Sequence, residues 1–186
     1  NMAIANLDKV EDEKMRNQLM GEAYFLRSFF LFDLTQLCGE IPLVAAIPED
    51  VEAAAQYPEQ ASIEEIYGTI AAGLKKAIEI MPNDPWHAVI SGLRHATKWD
   101  AEALLARVYL FYTGFYSDKN NTTLTTLPLV DLETGEMLAE TIDKKYVVSK
   151  LEDCIANSGH KLVSDYRLQW PYMNSATKAD YEYAKG

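Results

Sequence analysis

Trp86, beside His87, and Trp170 with Tyr172 are aromatic side chains outside any helical hydrophobic pattern. A sugar binds such rings by stacking its apolar C–H face on them, while nearby polar groups fix its orientation. Both positions are therefore candidate ligand-binding platforms, and packing across loops and helix ends is the competing reading. Trp99 falls in the first turn of a helix and reads as packing. His87, His95 and His160 are far apart and show no H-E-x-x-H or H-x-E spacing, so no metal site is assigned. Cys38 and Cys154 form no C-x-x-C or Cys/His cluster. They read as two thiols buried apart, and whether they pair stays open, because a disulfide requires two helix ends to meet. No G-x-S-x-G, P-loop or G-x-G-x-x-G occurs, and the carboxylates fall on solvated helix faces without recognisable pairing. No catalytic residue or cofactor is expected.

The chain of 186 residues is long enough for a real core and for one or two domains. Its net charge of -11 argues against non-specific nucleic-acid binding, which needs a basic footprint. With 48% hydrophobic and 24% charged residues it reads as an ordinary globular protein. No apolar run is long enough to span a membrane. The opening NMAIANLDKV looks like the interior of a helical protein, so the chain is expected to be a piece of a longer one.

The elements that must position these residues read as helices. The first is expected from about Asn6 to Cys38, closed by Gly39 and Pro42. Leu19, Ala23, Leu26, Phe30, Leu34 and Leu37 recur at three- and four-residue steps and are expected to form its buried face, widened by Phe25, Phe29 and Phe32. Arg27 is expected to snorkel or to pair with a carboxylate, with a ligand contact as the alternative. A connector with two prolines, 44–61, follows. Ser62 and Glu65 form a capping box for a second helix with an Ile63, Ile66, Ile70, Leu74, Ala77 and Met81 stripe, ended by Pro82. The third helix begins at Thr97, with Asp100 three residues on. It buries Ala101, Leu104, Leu105, Val108 and Phe111 or Tyr112, with Ala103 and Ala106 allowing close approach, and Gly114 ends it. The second and third helices are expected to pack antiparallel. Residues 117–140 read as a surface insertion, with a hairpin at Glu133-Thr134-Gly135. A fourth helix, about Thr141–Asn157, turns Ile142, Tyr146, Leu151, Cys154 and Ile155 inward and ends at Gly159. Leu105, Ala106, Tyr109, Gly114 and Tyr116 sit at tetratricopeptide (TPR) offsets, although the rest of that repeat is missing. The fold class expected is all-α, with TPR-like antiparallel helix pairs and a small irregular or β-hairpin insertion.

Four blocks in order and spacing carry a family resemblance: GEAYFLRSFFLFDL…GEIPLV, SIEEIYGTIAAGLKKAIEIMP, ATKWDAEALLARVYLFYTGFY and LEDCIANSGHKLVSDYRLQWPYMN. Together they resemble the central TPR-like portion of the SusD/RagB family. The resemblance implies an outer-membrane lipoprotein of Bacteroidetes that captures glycans, or other nutrients, without catalysis. It also implies a partner, a SusC-like TonB-dependent transporter, and a lipid anchor on a cysteine that neither Cys38 nor Cys154 matches. No binding residue carries over by position. Two rival readings remain: a helical-repeat scaffold for protein–protein interaction, and a glycoside hydrolase fragment with two carboxylates flanking a cleft.

Overall fold

The computed structural model describes residues 1–45, 59–84 and 95–162. Its main elements are helices α1 (Glu13–Cys38), α2 (Ile63–Ile80), α3 (Lys98–Phe111) and α4 (Lys144–Asn157), with a two-stranded ribbon of β1 (Thr126–Leu127) and β2 (Ile142–Asp143). No helix among the described residues is long and apolar enough to cross a membrane.

Local signals set the helix starts. The Ser62 N–H and hydroxyl both donate to Glu65 Oε2, at 2.8 and 2.7 Å, while the Glu65 N–H returns to Ser62 Oγ. Those bonds hold the Glu65 carboxyl below its ordinary pKa. Thr97 and Asp100 repeat the motif at α3. Ser62→Ala is therefore expected to cost about 1 kcal/mol, read as a lower urea midpoint at unchanged slope. The first helix starts later than its pattern suggests. Leu7–Lys9 is a separate 3-10 turn, Val10 is extended, and Asp12 caps α1 by accepting the Met15 N–H at 2.7 Å. Gly39, at φ 76°, closes it.

Side-chain contacts show each helix antiparallel to the next. Along α1 and α2, Gly21 faces Met81, Ser28 faces Gly73, and Phe32 meets Tyr67 edge-on. Tyr67 near the start of α2 meets Tyr112 just past the end of α3. Lys98 and Glu102 of α3 face Asp153 and Lys150 of α4. The central helix α2 is enclosed on most of its circumference, with Ile66, Tyr67, Ile70, Ala71, Leu74 and Ala77 fully buried.

The first helix buries a different face from the one its hydrophobic periodicity picks out. Gln18, Gly21, Tyr24, Ser28, Phe32 and Thr35 are buried, with Ser28 and Phe32 against α2, whereas Leu26, Phe29, Phe30, Leu34 and Leu37 are exposed. The reason is steric: Gly21, Ser28 and Gly73 let α1 and α2 approach more closely than two ridges of Leu and Phe would. Cys38 is exposed rather than buried, and both it and Cys154 are free thiols. Arg27 takes the snorkelling course rather than a carboxylate among the described residues: it lies over the Tyr24 ring and donates to Asn1 Oδ1 at 3.1 Å.

Gly114 does not end α3. The chain passes through a π-helical turn, Tyr112–Tyr116, and a last turn, Ser117–Asn120, and stops at Asn121 in the left-handed conformation. Gly114 carries an ordinary helical role there, with open space where a Cβ would point. Ala103 is exposed and takes no part in a close approach. The segment 117–140 does more than cover the surface, since Leu127, Leu129 and Val130 lie in the core. Val130 bridges Met137 across the expected turn, where Gly135 has φ 72° and Asp131 Oδ1 accepts the Glu133 and Thr134 N–H groups. Ile142 belongs to β2, paired with Leu127, so α4 starts at Lys144 with Asp143 as its cap. Ile155 points to solvent, because the α4 stripe that meets α3 runs through Val147, Leu151 and Cys154.

Candidate functional site

Three features of the described residues have the chemistry of a site. The first is aromatic. Phe32, Tyr67, Phe111, Tyr112 and Tyr116 form a cluster where α1, α2 and the π-helical turn meet. Phe115 stacks on Phe111 at 5.1 Å between centroids, meets Tyr116 edge-on at 5.0 Å, and is 51% exposed. It is a surface ring backed by a rigid core, on a kind of turn frequently found at functional sites. The sequence reading missed it. The signal available was the Tyr-Thr-Gly-Phe-Tyr run, where aromatics at 111, 112, 115 and 116 continue the helical spacing past Gly114.

The second feature is an open groove of about 660 Å³ between the ribbon and the start of α4. Its surface is mostly apolar, from Val148 and the carbon stems of Lys144, Lys145 and the threonines, with a few hydroxyl, carboxylate and ammonium groups of Thr126, Asp143, Ser149 and Glu152 at its edges. Such groups can hydrogen-bond a polyol, but no aromatic ring lines this groove to stack a sugar face.

The third feature is a buried charge cluster between α3 and α4. Glu102 has no exposed surface, and among the described residues neither carboxylate oxygen accepts a hydrogen bond from a lysine, amide or hydroxyl donor. Lys98 Nζ and Lys150 Nζ stand 3.8 and 3.9 Å from Glu102 Oε1. Lys98 is drawn away by Asn83 Oδ1 at 2.7 Å and Asp153 Oδ2 at 3.0 Å. Burial, reinforced by Asp153 and opposed by the two lysines, pushes the Glu102 pKa up to about 7. Beside it the Cys154 thiol donates to the Trp99 carbonyl, and burial raises its pKa. Being enclosed, Glu102 acts on the α3–α4 seam and does not reach a ligand.

The residues singled out from the sequence fall as follows. Trp86, His87, Trp170 and Tyr172 lie outside the described residues. Trp99 is buried, as expected, with its indole N–H on the Asp84 carbonyl at 3.0 Å. His95 Nδ1 pairs with Glu22 Oε1 at 2.7 Å, and Gln18 ties the same oxygen to the Ala96 carbonyl. Among the described residues no group of three or more His, Cys, Asp or Glu side chains gathers as a metal site.

Comparison with known proteins gives this geometry a lineage. The profile of a family described as starch-binding and associating with the outer membrane, SusD-like, matches residues 1–110, more than half of the chain. The chain belongs to the SusD-like family. A SusD-like protein P2 of Formosa agariphila is 32% identical over 114 residues, covering 59% of this chain and 21% of that protein. A solved laminarin-binding SusD-like protein is 21% identical with a TM-score of 0.64, over 96% of this chain and 33% of its own. Another structure, solved with a xylogluco-oligosaccharide, is 19% identical with a TM-score of 0.62, over 95% of this chain and 30% of its own. At these identities the solved structures establish the SusD-like fold. The chain thus spans about a fifth of the curated relative and about a third of the solved ones.

Proposed function

We propose that residues 1–186 form one helical scaffold domain of a longer, non-catalytic glycan-binding protein, with 117–140 inserted in it. In this reading the protein sits at the cell surface on the outer membrane, held by a lipidated cysteine outside this chain. It captures glycan, or another nutrient, for a SusC-like TonB-dependent transporter. The observation that carries the reading is the SusD-like match over residues 1–110. Two neighbours of the same fold support glycan as the ligand class, one named for laminarin and one solved with a xylogluco-oligosaccharide. The side chains proposed to stack sugar are Trp86, Trp170 and Tyr172, with Phe115 as a further exposed ring.

The test is titration calorimetry of the full-length gene product with starch, laminarin and xyloglucan oligosaccharides, alongside an assay for new reducing ends. Saturable binding to at least one, with the glycan left intact, is the expected result. Trp86→Ala or Trp170→Ala is expected to weaken it about tenfold, the worth of one stacked ring. Release of reducing ends would replace this reading with the hydrolase one.

A further inference from the structure

We propose that Glu102 and Asp153 hold one proton between them across the α3–α4 seam, and that this acid–carboxylate pair is a pH-sensitive latch for α4.

Lys98 Nζ is where the two carboxyl groups meet, standing 3.0 Å from Asp153 Oδ2 and 3.8 Å from Glu102 Oε1. The hydrogen-bond donors of the seam go to Asp153. It accepts from Lys98 on Oδ2 at 3.0 Å and from the Asn157 amide on Oδ1 at 2.7 Å. Glu102, with no exposed surface, receives no lysine, amide or hydroxyl donor among the described residues. An enclosed carboxylate without donors is costly, whereas the protonated acid needs only an acceptor for its O–H. Asp153 stands within hydrogen-bond reach of Glu102 and is that acceptor. The proton thus stays on Glu102 and ties α3 to α4.

Ionising Glu102 removes that bond and leaves two anions side by side, competing for Lys98. Lys150 Nζ, 3.9 Å from Glu102 Oε1 and set over the Tyr146 ring, offsets the new charge in part. Tyr146 and Cys154, which α4 also turns to this seam, stay neutral because burial raises the pKa of both. Asp100 acts on Cys154 from the start of α3, and Lys75, Glu79 and Glu140 act on Tyr146.

The helix that can respond is α4. Among its residues Val147 alone is buried, with Tyr146, Leu151 and Cys154 half-buried. An element held by so few buried contacts opens locally at a lower free energy than the rest of the fold. Lys144, Lys145, Val148, Ser149 and Glu152 form the α4 wall of the groove, so the latch couples that wall to one buried proton.

The test is hydrogen–deuterium exchange of the full-length gene product at about pH 5 and about pH 8.5, each rate divided by its intrinsic value at that pH. Protection in residues 144–157 is expected to be about 50-fold lower at the higher pH, for a carboxyl that titrates at about 7 when enclosed and at 4.5 when exposed. It is expected to stay below the protection of α2 at both, which marks an opening of α4 alone. Glu102→Gln, whose amide can donate to Asp153 at either pH, is expected to abolish the change. Asp153→Asn is expected to shrink it, since Glu102 then ionises without a neighbouring anion and has Lys98 to itself. His160→Gln is expected to leave it in place, which separates it from the ring that follows α4. Difference infrared spectra of wild type against Glu102→Gln should show a protonated-carboxyl band at the lower pH, shifted in frequency by Asp153→Asn. Equal protection of 144–157 at the two pH values overturns the proposal, and so does protection equal to that of α2 at both. A Glu102→Gln protein that keeps the change, or an Asp153→Asn protein in which its size is unaltered, overturns it as well.

Discussion

Lys98→Met is expected to destabilise the protein by about 3 kcal/mol at pH 8.5 or so, and by less at about pH 5, where only its bonds to Asn83 and Asp153 are lost. Glu102→Gln is expected to raise stability at the higher pH and leave it unchanged at the lower. Both follow from one carboxylate that is fully enclosed and meets its two cations only at 3.8 and 3.9 Å. Folding moves its pKa from 4.5 to about 7, chiefly by burial. Between those values the folded chain holds a proton that the unfolded chain has released. Stability from this group is therefore full below the unfolded value and is lost as pH rises through the folded one. The loss is about 3 kcal/mol over that window. Once Glu102 is ionised, Lys98 is the nearer of the two charges that offset its burial, and removing it leaves the anion with Lys150 alone. Urea midpoints from about pH 5 to 9 for the wild type and both variants test this. Asp153, whose pKa is lowered from 3.8 chiefly by its bonds to Asn157 and Lys98, stays ionised across this range and leaves Glu102 as the group read in the wild-type minus Glu102→Gln difference. A Glu102→Gln curve parallel to wild type throughout would show that Glu102 is already relieved of its burial.

The second large effect is expected at Gly68. A Cβ there would stand 2.5 Å from Val130 Cγ2 and 3.2 Å from the Val130 backbone nitrogen. Valine is stiff about its Cα–Cβ bond, and the backbone nitrogen cannot move without the buried 127–130 segment, so neither neighbour yields cheaply. Gly68→Ala is expected to cost about 2 kcal/mol despite the better helix propensity of alanine. Val130→Ala in the same chain should recover part of that loss, a coupling that a double-mutant cycle reads directly. Gly114→Ala is the contrast, since nothing lies within 4 Å of its Cβ position. Thermal unfolding of the set decides it, and equal melting temperatures for Gly68→Ala and Gly114→Ala would mean that α2 and the 127–130 segment are not in register contact.

These two cases also show what the sequence could and could not reveal. The boxes at Ser62 and Thr97 were legible because their partners lie three residues away. The α2 stripe was legible because a single face dominates it. The first helix misled because it has two apolar faces, and the one turned to α2 contains glycine, serine and threonine, which carry little hydrophobic signal. Close approach is a property of a pair: the smallness of Gly68 has meaning only beside Val130, and that of Gly73 only beside Ser28. The β1–β2 pairing and the burial of Glu102 likewise depend on residues far along the chain. In composition Glu102 is indistinguishable from the solvated carboxylates around it. For the ligand site, the sequence offered Trp86, Trp170 and Tyr172 from the chemistry of their rings. It passed over Phe115, whose exposure depends on the π-helical turn carrying the chain past Gly114.

The central claim is that these helices are the scaffold of a glycan-capturing protein rather than its whole binding site. Affinity electrophoresis tests that most directly, with the full-length gene product and residues 1–186 run side by side through gels containing starch, laminarin or xyloglucan. The account predicts that at least one glycan retards the full-length protein and leaves the shorter chain nearly unretarded. Equal retardation of the two chains, or a full-length protein that runs unretarded in every gel, would contradict it.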